Sequence, residues 1–151
     1  MTIIPGSDEV LFANESPLTQ DREDHFWSKD EHYIRIYSVK MEAWDKKAPT
    51  KYFKYKMDLY NDNGVPAILA MDSSRVLVLE RGFDSVEREA VIRLYKVELA
   101  NADKDGVLQK ELIVDFKDLK PQFAAGFKKV DNFEGMALGP VRNGSQVILL
   151  V

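Results

Sequence analysis

The spacing of apolar residues does most to constrain this 151-residue chain: they recur at every second position, in short runs cut by turn-forming residues. Period two is the repeat of a pleated strand with one buried face. In residues 52–60, Phe53, Tyr55, Met57 and Leu59 share one face, and Lys54, Lys56 and Asp58 take the other. In residues 33–40, Ile34 and Ile36 oppose Arg35, Tyr37 and Val39. Runs at 67–71 and 76–79 are nearly all apolar and flank Asp72-Ser73-Ser74-Arg75, whose side chains favour a hairpin turn. Further strands are expected at 10–13, 91–99, 111–116, 133–138 and 147–151, with a Gly-Pro and Asn-Gly loop over 139–145. Helix is scarce: residues 85–91 (SVEREAV) predict one or two turns, and 117–127, broken by Pro121 and Gly126, predict a loop with about one turn.

About nine short strands imply an all-β sandwich, barrel or propeller. An internal echo favours the propeller. Residues 63–70 (NGVPAILA) align with 131–138 (DNFEGMAL) at an offset of 68 residues, each copy leading through a turn into a second apolar strand, RVLVLE or QVILLV. That offset exceeds the ~40–50 residues of common propeller repeats, and long loops at 84–89 and 101–109 account for the excess. The fold expected is thus a partial β-propeller-like one. Antiparallel blades fall at 10–60 and 67–116, with the inner half of another at 132–151 and few helical turns, all in one domain spanning 1–151. The apolar end, Ile148-Leu149-Leu150-Val151, reads as a cut within a blade. On that basis the chain is expected to be part of a longer domain, with open sheet edges that invite self-association.

Composition excludes several chemistries. The chain has no cysteine, so disulfides, thiolate metal sites and a Cys nucleophile are ruled out. A net charge of −4 offers no basic stripe for nucleic acid. Its excess lies in residues 1–50, around Asp21, Glu23, Asp24, Asp30 and Glu31, and reads as a solvated loop. No apolar run approaches the ~18 residues of a membrane span, and the first residues lack the basic and apolar regions of a secretory signal.

Familiar catalytic motifs are missing too. There is no G-x-S-x-G elbow, and His25 and His32 fit no zinc spacing. Asn101, Asp103, Asp105 and Gly106 match the start of a calcium loop. The twelfth position, however, is Leu112, with Glu111 one residue early, so a polar hairpin loop is the expectation. More informative are acidic residues at the ends of apolar strands: Glu80-Arg81 and Asp84 after VLVL, Glu134 in DNFEG, and Glu15 after VLFAN. Carboxylates at a propeller's mouth can bind a hard cation through oxygen or act as acid and base. The plainer alternative is that they form structural ion pairs or cap loops.

The strings NGVPAILAMDSSRVLVLERGFD, IRLYKVEL, KELIVDF and DNFEGMALGP, with NESPLTQDR and IRIY upstream, resemble the phytase-like domain family, whose description is "esterase-like activity of phytase". The resemblance covers residues 10–151 and looks like the C-terminal portion of a longer domain. It implies a propeller-like fold and hydrolysis of phosphoester or carboxylic ester bonds in a small molecule, assisted by Ca²⁺. A periplasmic or extracellular setting is also implied, since members are generally exported. Carried over residue by residue, it points to Glu80, Arg81 and Glu134 as catalytic, to Asn132, Asp131 and Glu15 as substrate-binding, and to Glu80 and Glu134 as holding the cation. One departure is Pro66, where the family often has an acid. That loss, and the lack of a recognisable nucleophile–base pair, keep open a non-catalytic propeller that binds a ligand or protein. A third expectation is that this stretch alone is inactive.

Overall fold

A computed structural model of the chain describes residues 1–18, 32–42, 51–58 and 61–151, with the side chain of Asn61 excepted. The acidic run at 21–31, His25 and the end of the 52–60 run at Leu59 lie outside the described residues.

The fold is all-β and propeller-like, a partial set of blades with no closed barrel among the described residues. β1 (Thr2–Ile3), β2 (Glu9–Ala13), β3 (His32–Lys40) and β4 (Lys51–Met57) form one antiparallel four-stranded sheet in chain order. β5 (Asn61–Ala70), β6 (Arg75–Asp84), β7 (Glu89–Ala102) and β8 (Leu108–Asp115) form a second of the same design. β9 (Met136–Arg142) and β10 (Ser145–Leu150) make a separate hairpin. This grouping matches the blade divisions read from the sequence, except that β1 joins the first sheet from outside the expected 10–60 span.

Alternation explains how the layers stack. Ile34, Ile36, Phe53, Tyr55 and Met57 of the first sheet meet Ile68, Val76, Val78, Tyr95, Val97 and Leu108 of the second in one buried cluster. Leu77, Leu79, Ile92 and Leu94, one position out of phase, turn to the other side. There they meet Phe116 and Val130, with Met136, Ile148 and Leu150 of the last hairpin packed alongside. Each fully buried side chain of this kind stabilises the fold by about 1.5–3 kcal/mol. The second sheet is thus covered on both faces, which is why its central strand β6 reads as a continuous apolar run.

Turn chemistry sets the registers. Asp72 Oδ1 accepts from the amides of Ser74 and Arg75, at 2.9 and 2.8 Å, and closes the β5–β6 hairpin. Its carboxyl is held well below the ordinary range, first by the Arg75 side chain and then by the Ser74 and Arg75 amides. The calcium-loop lookalike is a hairpin loop, in which Asp103 Oδ1 accepts from the amides of Asp105 and Val107, each at 2.9 Å. Residues 116–122 form a short 3-10 helix, Phe116–Gln122, started by Asp115 accepting from the Lys117 amide at 3.0 Å.

Two expectations are corrected. Residues 85–91 form no helical turns: β6 runs to Asp84, β7 begins at Glu89, and Asp84 Oδ1 accepts from the Val86 and Glu87 amides to cap the turn between them. Seven residues of good helix formers cannot nucleate a helix against strand pairing that continues through Phe83↔Ala90 and Asp84↔Glu89. Nor is the Gly-Pro pair part of a loop. β9 passes through Gly139 and Pro140 to Arg142, and the turn is Asn143-Gly144, with φ of 51° and 77°. Both residues being left-handed matches the tight hairpin turn that suits twisted strands. Among the described residues no helix is long and apolar enough to cross a membrane.

Candidate functional site

Glu80 and Arg81 are neighbours on β6, so the pleat sends their side chains to opposite faces. The structure accordingly divides the predicted residues between two places.

Glu80 faces the first sheet, in line with Val76 and Val78, and is only 3% exposed. Its Oε1 accepts from the Tyr55 hydroxyl and from Lys110 Nζ, both at 2.6 Å. Its Oε2 accepts from the Asp58 amide at 2.9 Å and from Asn63 Nδ2 at 3.0 Å. Lys110 also donates to Asp58 Oδ1 at 2.7 Å. Asp58 Oδ2 accepts from Arg93 Nη1 at 2.7 Å and from the Tyr95 hydroxyl, and Arg93 Nε reaches Asp115 Oδ2 at 2.8 Å. A buried charge persists only when paired and hydrogen-bonded, and both Glu80 oxygens are.

Burial, then the charge of Glu80 and its hydrogen bond, push the Tyr55 hydroxyl far above its ordinary value, so it stays protonated and donates. Burial and the bond to Asp58 raise Tyr95 likewise. For Asp58, burial works to raise the carboxyl. Hydrogen bonds from Lys110 and Tyr95, with the charge of Lys110 and a bond from Arg93, outweigh it and hold the group below its usual 3.8. A carboxyl whose folded value is depressed contributes stability that is complete above its unfolded value and disappears as pH falls through the folded one. Urea midpoints followed from pH 5 to pH 2 should therefore drop, and Asp58→Asn should flatten the low-pH part of that curve. An unchanged slope in the variant would remove Asp58 as a source of the acid sensitivity.

Arg81, on the other face, gathers the remaining predicted residues. Its Nη2 donates to Glu15 Oε1 at 2.7 Å and its Nη1 to Asn132 Oδ1 at 3.1 Å. Asn132 passes the chain on, Nδ2 donating to Glu134 Oε1 at 2.6 Å, while its amide donates to Asp131 Oδ1 at 2.8 Å. Gly64, paired with Arg81 across the sheet, makes this possible. A Cβ at Gly64 would stand 3.0 Å from Glu15 Cγ and 3.2 Å from the Glu15 carbonyl, which accepts from the Val65 amide at 2.9 Å. Pro66 is tolerated two residues on because β5 is an edge strand, where a missing donor breaks no central ladder.

Beside Arg81 opens a cleft of about 590 Å³, with Arg88, Lys129, Asp62, Asp131 and Asn132 also in its walls. Arg88 is carried there by the β6–β7 turn, at φ 54°. Glu89, another wall residue, is neutralised by Lys120 Nζ at 2.5 Å. One guanidinium donor, Arg81 Nε, is buried without a protein partner among the described residues.

Sequence reasoning thus found the Glu15, Arg81, Asp131, Asn132 and Glu134 group, which the structure assembles, and also Glu80, which it sets on the opposite face of β6. It missed Tyr55, Asp58, Asn63, Arg93 and Lys110 around Glu80, and Arg88 and Lys129 in the cleft. Tyr55 carried a signal, a hydroxyl on the buried face of an alternating strand; Lys110 carried none.

The donor set does not fit a divalent cation at Glu80. Calcium asks for about six to eight oxygens, and here each carboxylate oxygen already faces two hydrogen-bond donors, one of them an ammonium. Glu134 is exposed and shares an oxygen with Asn132. No group of three or more His, Cys, Asp or Glu among the described residues is placed to hold a metal.

No curated protein and no solved structure matches the chain. A family match spans residues 1–151, the whole chain, and on it the protein belongs to the Phytase-like family, described as "esterase-like activity of phytase", which supports a hydrolase-like domain in general.

Proposed function

We propose that the cleft beside Arg81 binds an ester bearing negative charge, a phosphoester or an anionic carboxylic ester, and promotes its hydrolysis. The observation that carries this reading is the placement of the guanidinium. Glu15 and Asn132 fix it at the cleft wall, and Arg88 and Lys129 share that wall. A pre-set fork of donors suits a planar or tetrahedral oxyanion, and its effect grows where the charge develops in the transition state. Water is the nucleophile. Asp131 or Glu134 takes its proton as the water oxygen bonds to phosphorus or to the acyl carbon, the ester P–O or C–O bond breaks, and the carboxyl so protonated returns that proton to the departing alkoxide. Glu80 acts in this scheme as a positioning residue, anchoring β6 from behind while Arg81 works in front.

The test is turnover of p-nitrophenyl phosphate and of an anionic p-nitrophenyl carboxylate, with purified wild type, Arg81→Ala, Arg81→Lys and Glu134→Gln. Arg81→Ala should lower kcat/KM by about 10²-fold or more. Arg81→Lys should recover part of that, since an ammonium keeps the charge but loses the fork. Unchanged turnover in a folded Arg81→Ala would end the proposal.

A second reading has its own support: the described residues lining the cleft include no Ser, Thr, Cys or His to serve as a side-chain nucleophile. A non-catalytic domain would bind the anionic ester with an affinity that Arg81→Ala abolishes, yet release it intact.

A further inference from the structure

We propose that the side-chain cluster of Glu80, Asp58, Tyr55 and Tyr95 between the two four-stranded sheets is a built ammonium site, and that the side chain of Lys110 is its resident ligand, in the place a bound metal would otherwise take. This inference is independent of the hydrolytic reading of the Arg81 cleft, because it concerns the opposite face of β6.

Lys110 Nζ lies 2.6 Å from Glu80 Oε1 and 2.7 Å from Asp58 Oδ1, which accounts for two of its three donors. It also lies 4.1 Å from the centre of the Tyr95 ring and 5.2 Å from that of Tyr55. Two carboxylates and two aromatic faces around one nitrogen form the arrangement by which proteins recognise ammonium groups, the ring quadrupole adding to the ion pairs. Aromatic faces offer a calcium ion no oxygen, whereas they suit a soft, partly desolvated ammonium.

Burial sharpens the point. The Lys110 side chain is 19% exposed and that of Glu80 3%. Among the described residues the network joins three carboxylates, Glu80, Asp58 and Asp115, to two cations, Lys110 and Arg93. Without the lysine it would keep one cation for three anions, together with a void shaped like the missing side chain. Such a void should accept a free cation of the same chemistry. Cutting lysine back to alanine removes the three outer methylenes and the amine, which together correspond to n-propylammonium.

The experiment compares thermal unfolding of the full chain, wild type and Lys110→Ala, in n-propylammonium chloride, CaCl2 and NaCl at matched ionic strength, and in EDTA. The wild-type melting temperature should be the same in EDTA and in CaCl2. Lys110→Ala should melt about 10 °C lower. Millimolar n-propylammonium should recover at least half of that loss, and CaCl2 no more than NaCl. If Lys110→Ala does not fold, the yield of refolding from urea in the same salts gives the same comparison. Any of three results overturns the proposal: a wild-type melting temperature that EDTA lowers or calcium raises, a variant as stable as the parent, or a variant that calcium rescues as well as n-propylammonium or that neither rescues.

Discussion

Glu80→Ala loses about 3–5 kcal/mol of folding stability, the usual cost of removing one partner from a buried ion pair. The change leaves the Tyr55 hydroxyl and the Asp58 amide without the oxygens they now reach, takes from Asn63 Nδ2 one of two acceptors, and takes one of two carboxylates from Lys110. Since domains of this kind have about 5–15 kcal/mol in total, the variant should stand near the edge of folding at 37 °C. Glu80→Gln keeps an acceptor for the Asp58 amide and gives up the charge, and should lose about 1–3 kcal/mol. Urea unfolding followed by circular dichroism measures both. A loss below about 1 kcal/mol for Glu80→Ala would mean that water satisfies this network, and that the surroundings of Glu80 are far wetter than its burial implies.

The second large effect separates the two cores. Ile36 and Leu79 are both fully buried, the first in the cluster between the four-stranded sheets and the second in the cluster against the last hairpin. Leu79→Ala should cost about 2–5 kcal/mol and Ile36→Val about 0.5–1.5 kcal/mol, from lost burial and the cavity left behind. Because the two side chains share no cluster, the double variant should equal the sum within about 0.5 kcal/mol. A coupling well above that would show the second sheet transmitting strain from one face to the other, as a single packed core does.

The same strand shows which parts of this protein are local. That VLVL is a buried strand, that Asp72-Ser73-Ser74 turns the chain and that Phe53, Tyr55 and Met57 face one way are all decided within a few residues, by the pleat and by side chains that bond their own backbone. Such signals survive in a bare sequence. The division into blades was legible for the same reason, because each blade is a meander whose neighbours in space are neighbours in the chain. Residues 85–91 misled because their helix propensity is a weak preference, and ten cross-strand pairs between β6 and β7 outweigh it.

The site was legible by half. Glu15, Arg81 and Glu134 stood out as charged groups at strand ends, Asn132 was pointed to by the family resemblance, and those four meet. What happens to a carboxylate set in an apolar strand depends on what arrives opposite it, and for Glu80 that is Lys110, thirty residues further along, with Tyr55, twenty-five residues back. The amino-acid sequence by itself determined the strands, their faces and the order of the blades, since these follow from period and turn chemistry over short stretches. Only the stacking of the sheets decided that Glu80 would enclose an ammonium while its neighbour Arg81 faces a cleft. Desolvation and charge pairing are set by groups distant in the chain, and no local pattern encodes them.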